Sequence, residues 1–239
     1  MAIAFRNAIG SNNAGGGTTI VITMPTTPTV SDGDVMILMI TCQATGSGFN
    51  GIPSQNGWTQ IMVIPGNPNT SNQTIFWKIA ASEPASYTFN ITAAKASAVV
   101  IALSGADGTQ PVAAQLGSTG TVATQAAIPA AALGSFASTN GIDLYLGGIN
   151  TGTTAAAPTN YTLPTNGQSA STGGSVSTRT TSGISYRALN GVTTVGALTA
   201  TYGASGSQEF GHHVFVREAV AQVGGFGGFG MSMMGCGAL

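Results

Sequence analysis

One pattern of residues runs through this chain twice. A near-continuous apolar strand, a turn bearing an aromatic, an aromatic-basic strand, an alternating strand and a closing apolar strand succeed one another over residues 32–104 and again over 140–218. The first pass reads Asp34-Val35-Met36-Ile37-Leu38-Met39, Gly57-Trp58-Thr59, Trp77-Lys78-Ile79-Ala80, Tyr87-Thr88-Phe89-Asn90-Ile91 and Ala98-Val99-Val100-Ile101-Ala102-Leu103. The second reads Asp143-Leu144-Tyr145-Leu146, Asn160-Tyr161-Thr162, Tyr186-Arg187-Ala188-Leu189, Leu198-Thr199-Ala200-Thr201-Tyr202 and His213-Val214-Phe215-Val216. Each half would leave an apolar face that only the other can cover. The duplication predicts an all-β body, a two-sheet β-sandwich of two similar halves, with no place for alternating helices.

Val35–Ile40 lacks alternation, which predicts a central strand buried on both faces. Ahead of it, Thr18–Thr23 is β-branched and ends before Pro25, so residues 1–17 read as an N-terminal arm, 18–220 as the sandwich and 221–239 as a tail. Long Gly/Ser/Asn-rich loops over 41–56 and 151–174 are where binding usually resides on such a frame, with Phe49 and Tyr161 as candidate loop contacts.

Only 5% of residues are charged, against about 25% in an average protein. Six Lys and Arg against seven Asp and Glu leave a net charge of −1, so the chain lacks the electrostatic footprint for nucleic acid or an anionic membrane. An uncharged surface also lacks the repulsion that keeps proteins apart, which favours self-association or docking on a larger body. No apolar run reaches the roughly 18 residues of a membrane helix, and the first residues do not read as a secretory leader. Synthesis in the cytosol is expected, with no disulfide between Cys42 and Cys236.

The acids are scattered. Asp32-Gly33-Asp34 has two readings, a turn whose side chains bond their own backbone or part of a calcium site. Adjacent His212 and His213 point to opposite faces of a strand and cannot share a metal, so one is expected buried and the other solvated. No serine has a G-x-S-x-G context. Trp58 and Trp77 read either as a sugar-stacking platform or as core packing. No catalytic residue, metal or cofactor is expected.

After Glu218 the character changes. Residues 223–239 carry no charge, and Phe226, Phe229, Met231, Met233 and Met234 are spaced by small residues, an apolar ribbon suited to assembly contacts.

Gly57-Trp58-Thr59, Phe76-Trp77-Lys78-Ile79-Ala80, Glu83-Pro84-Ala85-Ser86-Tyr87-Thr88-Phe89 and Ala102-Leu103-Ser104-Gly105-Ala106-Asp107 resemble a family of jelly-roll-like β-sandwich proteins found among tailed-bacteriophage virion proteins and some bacterial surface proteins. The similarity spans about residues 18–218. It departs at Asn160, where such proteins have a glycine, and in the tail. The resemblance implies a non-enzymatic virion component, either a capsid decoration or cement protein or a fibre or tail accessory, often trimeric. Its expected partners are the major capsid protein or other virion proteins and further copies of itself, on a virion surface after synthesis in the host cytoplasm. A fibre module recognising host glycans and a bacterial surface or filament subunit remain the alternatives.

Overall fold

Val35–Ile40 is completely buried on both faces and lies at the centre of a five-stranded antiparallel sheet. The structure is a computed structural model describing residues 2–44, 51–65, 71–118, 127–137, 139–171, 179–204 and 209–220. Strands β1 (Ala4–Thr23), β2 (Val35–Ala44), β3 (Thr59–Pro65), β4 (Asn72–Ile79) and β5 (Ser86–Ser104) form that sheet in the order β1-β5-β2-β4-β3. Strands β6 (Val112–Ser118), β8 (Thr139–Ile149), β9 (Gln168–Ala170), β10 (Thr181–Val192) and β12 (Glu209–Arg217) form a second five-stranded sheet in the order β6-β12-β8-β10-β9. Between them in sequence, β7 (Ala127–Ala130) pairs with β11 (Leu198–Thr201) in a two-stranded sheet. The chain is an all-β sandwich of two packed sheets, and counted within each half the strand order is the same.

The register makes the repeat residue-specific. Thr59 pairs with Trp77 and Thr162 with Tyr186, while Trp77 faces Ile37 and Tyr186 faces Leu144. Leu144 therefore takes the place of Ile37, and Asp143 that of Met36. The alignment of Asp143 with Asp34 suggested by the sequence is displaced by two residues, a slip that alternation tolerates because it keeps every side chain on its face. A bulge recurs too: Arg6 is the extra residue between Phe5 and Asn7, and Ala113 is the extra residue between Val112 and Ala114.

The sheets meet through equivalent faces. Val35, Ile37, Met39, Ile75, Ile101 and Leu103 pack against Ile142, Leu144, Leu146, Ile184, Val214 and Val216, their counterparts. Polar contacts at one end obey the same reciprocity. Ser182 Oγ lies 2.9 Å from Thr41 Oγ1, while a Cβ on Gly148, the counterpart of Thr41, would lie 2.3 Å from Nε2 of Gln73, the counterpart of Ser182. Residue i meeting j while j meets i is the mark of a two-fold relationship, here within one chain.

Each half also has a core of its own on its outer face. In the first, Met36, Leu38, Ile40, Phe76 and Val100 are covered by Ile20, Ile22, Trp58 and Phe89, the long β1/β5 pair having bulges at Asn13–Thr19. In the second, Tyr145 and Ile149 are covered by Ala130, Ala200 and Tyr202, carried by or beside the separate β7/β11 pair. The single β1/β5 ribbon of the first half is thus split into β6/β12 and β7/β11 in the second.

Residues 1–17, expected as an arm, are largely strand: Ala4–Asn13 pair with Ala96–Ser104 along β5. Alternation, with Ala8 buried and Ile9 packed on a core, explains the pairing. Both His212 and His213 are fully buried, so the expectation of one solvated histidine fails. The sheet bearing them is covered on both faces.

Candidate functional site

The two inner faces match, but the outer faces do not, and the difference defines the site. Three rows across β4-β2-β5 in the first sheet read Thr74-Ile40-Ala98, Phe76-Leu38-Val100 and Lys78-Met36-Ala102. The corresponding rows across β10-β8-β12 read Gly183-Gly147-Gly211, Ser185-Tyr145-His213 and Arg187-Asp143-Phe215. Ile40 and Ala98 give way to glycines, Phe76, Leu38, Val100 and Met36 to Ser185, Tyr145, His213 and Asp143, while Ala102 changes the other way, to Phe215.

Asp143 and His213 are both wholly buried, and Asp143 Oδ1 lies 3.1 Å from His213 Nδ1. A carboxylate accepts only, so the Nδ1–H tautomer of His213 is the one that can donate to it. The Tyr161 hydroxyl donates to Asp143 Oδ2, and the Arg187 guanidinium lies 4.7 Å from the centre of the Tyr161 ring. Burial and then the Asp143 charge hold the Tyr161 phenol far above its usual range. Arg187, Tyr161, Asp143 and His213 thus form a relay running from the half-exposed surface into the interior.

Local sequence places Tyr161 there. Its amide donates to Pro158 O at 3.1 Å, closing a turn with Asn160 at φ +67°, a left-handed conformation that asparagine tolerates. The counterpart turn ends on Trp58, whose amide donates to Gln55 O at 2.9 Å, with Asn56 at +56° and Gly57 at +75°. Asn160 therefore supplies the backbone freedom that its missing glycine would have. Trp58 is 1% exposed and sits edge-on to Tyr87 and Phe89. Its indole fills the interior that Tyr161 enters with a hydroxyl.

The glycine row makes room for a second tyrosine. A Cβ on Gly147 would lie 2.4 Å from the Tyr202 hydroxyl and one on Gly183 3.0 Å from it. Among the described residues, that hydroxyl, Ser185 Oγ and His213 Nε2 are buried without hydrogen-bond partners. An Asp–His pair is the base-and-orienter half of a nucleophilic site. Ser185 lies in the same row as His213, but Tyr145 occupies the strand between them. What the relay can do in this arrangement is latch the 158–161 turn onto the interior.

His212 faces the other way, toward the seam, where the first half has Val99. Neither ring nitrogen has a hydrogen-bond partner among the described residues, and burial, with His213 adding to it, depresses its pKa to about 3. Cys42, in the outer core of the first half, is a free thiol that burial pushes up to about 12. Among the described residues no group of three or more His, Cys, Asp and Glu is placed to hold a metal.

Of the residues singled out in the sequence, Tyr161 is half-buried with its hydroxyl committed to Asp143. Phe49, Phe226, Phe229, Met231, Met233 and Met234 lie outside the described residues, as does Cys236. Trp77 packs at the seam and Trp58 in the outer core, so they share no platform. Asp34 accepts from Ser31 N, the turn chemistry expected for Asp32-Gly33-Asp34, and also pairs with Arg6, whereas Asp32 reaches out of the turn to accept from Ser82 N. The Asp143–His213 pair escaped notice, although a carboxylate inside Ile142-Asp143-Leu144-Tyr145-Leu146 signals a buried partner, since an unpaired one costs several kcal/mol. No protein-family model, curated protein or solved structure is significantly similar to the chain.

Proposed function

We propose that the chain is a non-enzymatic structural protein of a tailed-bacteriophage virion, a jelly-roll-like sandwich that decorates or cements the capsid. One observation carries the reading: a duplicated, two-fold-related sandwich with only 5% charged residues. Such a body commits its large apolar side chains to internal cores and offers an exterior of hydroxyls, amides and backbone, suited to many weak contacts on a larger particle. The uncharged segment 223–239 extends this chemistry past the sandwich and supplies the anchor to the shell or to further copies.

Sedimentation of purified virions tests the reading. The protein should travel with the particles at a copy number commensurate with capsid symmetry, and deletion of 223–239 should lower occupancy while the sandwich stays folded. Absence from the particles refutes the proposal, and unchanged occupancy after the deletion refutes the anchoring role.

A further inference from the structure

Away from the relay, a groove of about 350 Å³ opens at the seam, lined by Phe5–Ala8 of β1, Pro28, segment 162–166 and Tyr186 of β10. Phe5 and Tyr186, one from each half, stack there with ring centres 4.6 Å apart and planes 11° from parallel.

The polar groups divide into two sets. Arg6 and Asn7 are spent inside the protein. Arg6 is ion-paired to Asp34 at 2.5 Å, and the Asn7 amide donates to the carbonyls of Thr27 and Pro28 at 2.8 and 3.2 Å. The side chains of Thr162, Thr165, Asn166 and Tyr186, by contrast, make no hydrogen bond among the described residues. The groove therefore presents hydroxyls and a carboxamide that are free to bond, beside an aromatic pair, with its one cation already neutralised.

The groove also breaks the repeat. Across the pseudo-two-fold, Phe5 and Tyr186 correspond to Val112 and Trp77, and segment 162–166 corresponds to the start of β3, which pairs with β4 from Thr59 to Pro65. In the second half that pairing is interrupted. Thr162 bridges Tyr186, and the ladder resumes only at Gln168–Ala170. Segment 163–166 leaves the sheet, which Gly167 rejoins by accepting from Ile184 N at 2.8 Å while its own amide closes on Pro164 O at 2.8 Å, and the aromatic stack lies beside it.

We propose that this groove binds a neutral saccharide of one or two units. Aromatic rings match the C–H faces of a sugar, and free hydroxyl and amide groups match its hydroxyls. With Arg6 neutralised by Asp34, nothing in the lining favours an anionic ligand. The volume is at the low end of the roughly 300–1,000 Å³ of small-ligand sites, which fits a short saccharide. The inference is independent of the virion reading.

Saturation-transfer NMR on the full chain, with glucose, galactose, N-acetylglucosamine, rhamnose, maltose and lactose against sialic and glucuronic acids, tests it. At least one neutral sugar should bind saturably at millimolar concentration. Asn166→Ala, at an exposed position whose side chain makes no hydrogen bond among the described residues, should weaken that binding about tenfold, the loss of one well-made polar contact. Tyr186→Ala should abolish it, and a thermal melt shows whether the sheet survives. Binding of none of the neutral sugars, preference for the acids, or binding indifferent to Asn166→Ala each overturns the proposal.

Discussion

His213 stands in the second sheet where Val100 stands in the first, and its partner Asp143 stands where Met36 does. The same backbone scaffold thus holds aliphatic side chains at these two positions in one half and an Asp–His pair in the other. Desolvating a carboxylate and an imidazole costs more than burying the aliphatic pair, yet once built the relay cannot lose one member cheaply, because the survivor stays buried and unpaired.

His213→Leu or Asp143→Leu alone should therefore lower stability by about 3–5 kcal/mol. The triple variant Asp143→Leu, His213→Leu, Tyr161→Phe removes the carboxylate together with its two hydrogen-bond partners, leaves Arg187 over a phenyl ring, and should recover most of that loss. Chemical denaturation at fixed pH measures both. A triple variant as unstable as the singles would mean that the polar groups, not the volume they fill, hold the second half together.

His212 gives stability a pH dependence of known sign. Its folded-state pKa lies near 3 against an ordinary 6.5, so between those values the unfolded chain binds the extra proton. Stability from this group is complete above about pH 6.5 and is lost as the pH falls toward 3. Between pH 6.5 and 4.5, above most carboxylate titration, the loss should be on the order of 2 kcal/mol. His212→Val, which installs the first half's Val99, should flatten the unfolding free energy over this window; an unchanged slope would place the titrating group elsewhere.

Tyr202 and Gly147 should behave as a coupled pair. Gly147→Ala drives a methyl into the Tyr202 hydroxyl and should cost about 1–3 kcal/mol. Tyr202→Phe removes a buried hydroxyl that has no partner, so it should be neutral or stabilising, and should relieve part of the cost of Gly147→Ala. A double-mutant cycle by thermal or denaturant unfolding reads the coupling, and strict additivity would show that the ring shifts aside without strain.

The duplication was legible because strand-length patterns survive in both halves: Val35–Ile40 and Ile142–Leu146 carry the seam, and the aromatic turns at Trp58 and Tyr161 mark the same corner. The register was not, since moving Asp143 by two positions leaves every hydrophobic residue on its face and sequence offers nothing to choose between the two alignments. Nor was the pairing of residues 4–13 with β5. Gly10, Ser11, Asn12 and Asn13 have turn chemistry, and only the tertiary partner Ala96–Val99 makes them strand. The relay stayed hidden because its members lie up to 70 residues apart and meet only through the sheet.

The seam itself can be tested by giving the first half its own copy as a partner. A fragment of residues 2–104 keeps its outer core and exposes Val35, Ile37, Met39, Ile75, Ile101 and Leu103, the face that now meets its counterpart. Since the counterpart face is also aliphatic, two fragments should associate in the same two-fold arrangement. One position opposes this: Thr41 meets Gly148, where a Cβ would lie 2.6 Å from Thr41 Oγ1, and in a fragment dimer Gly148 is replaced by a second Thr41. Sedimentation velocity should then find the 2–104 fragment weakly dimeric, and Thr41→Gly should shift it toward dimer by opening the axis. A fragment that stays monomeric and soluble with or without Thr41→Gly would show that the aliphatic face alone does not hold the halves together, and that contacts unique to the joined chain, such as Phe5 on Tyr186, are required.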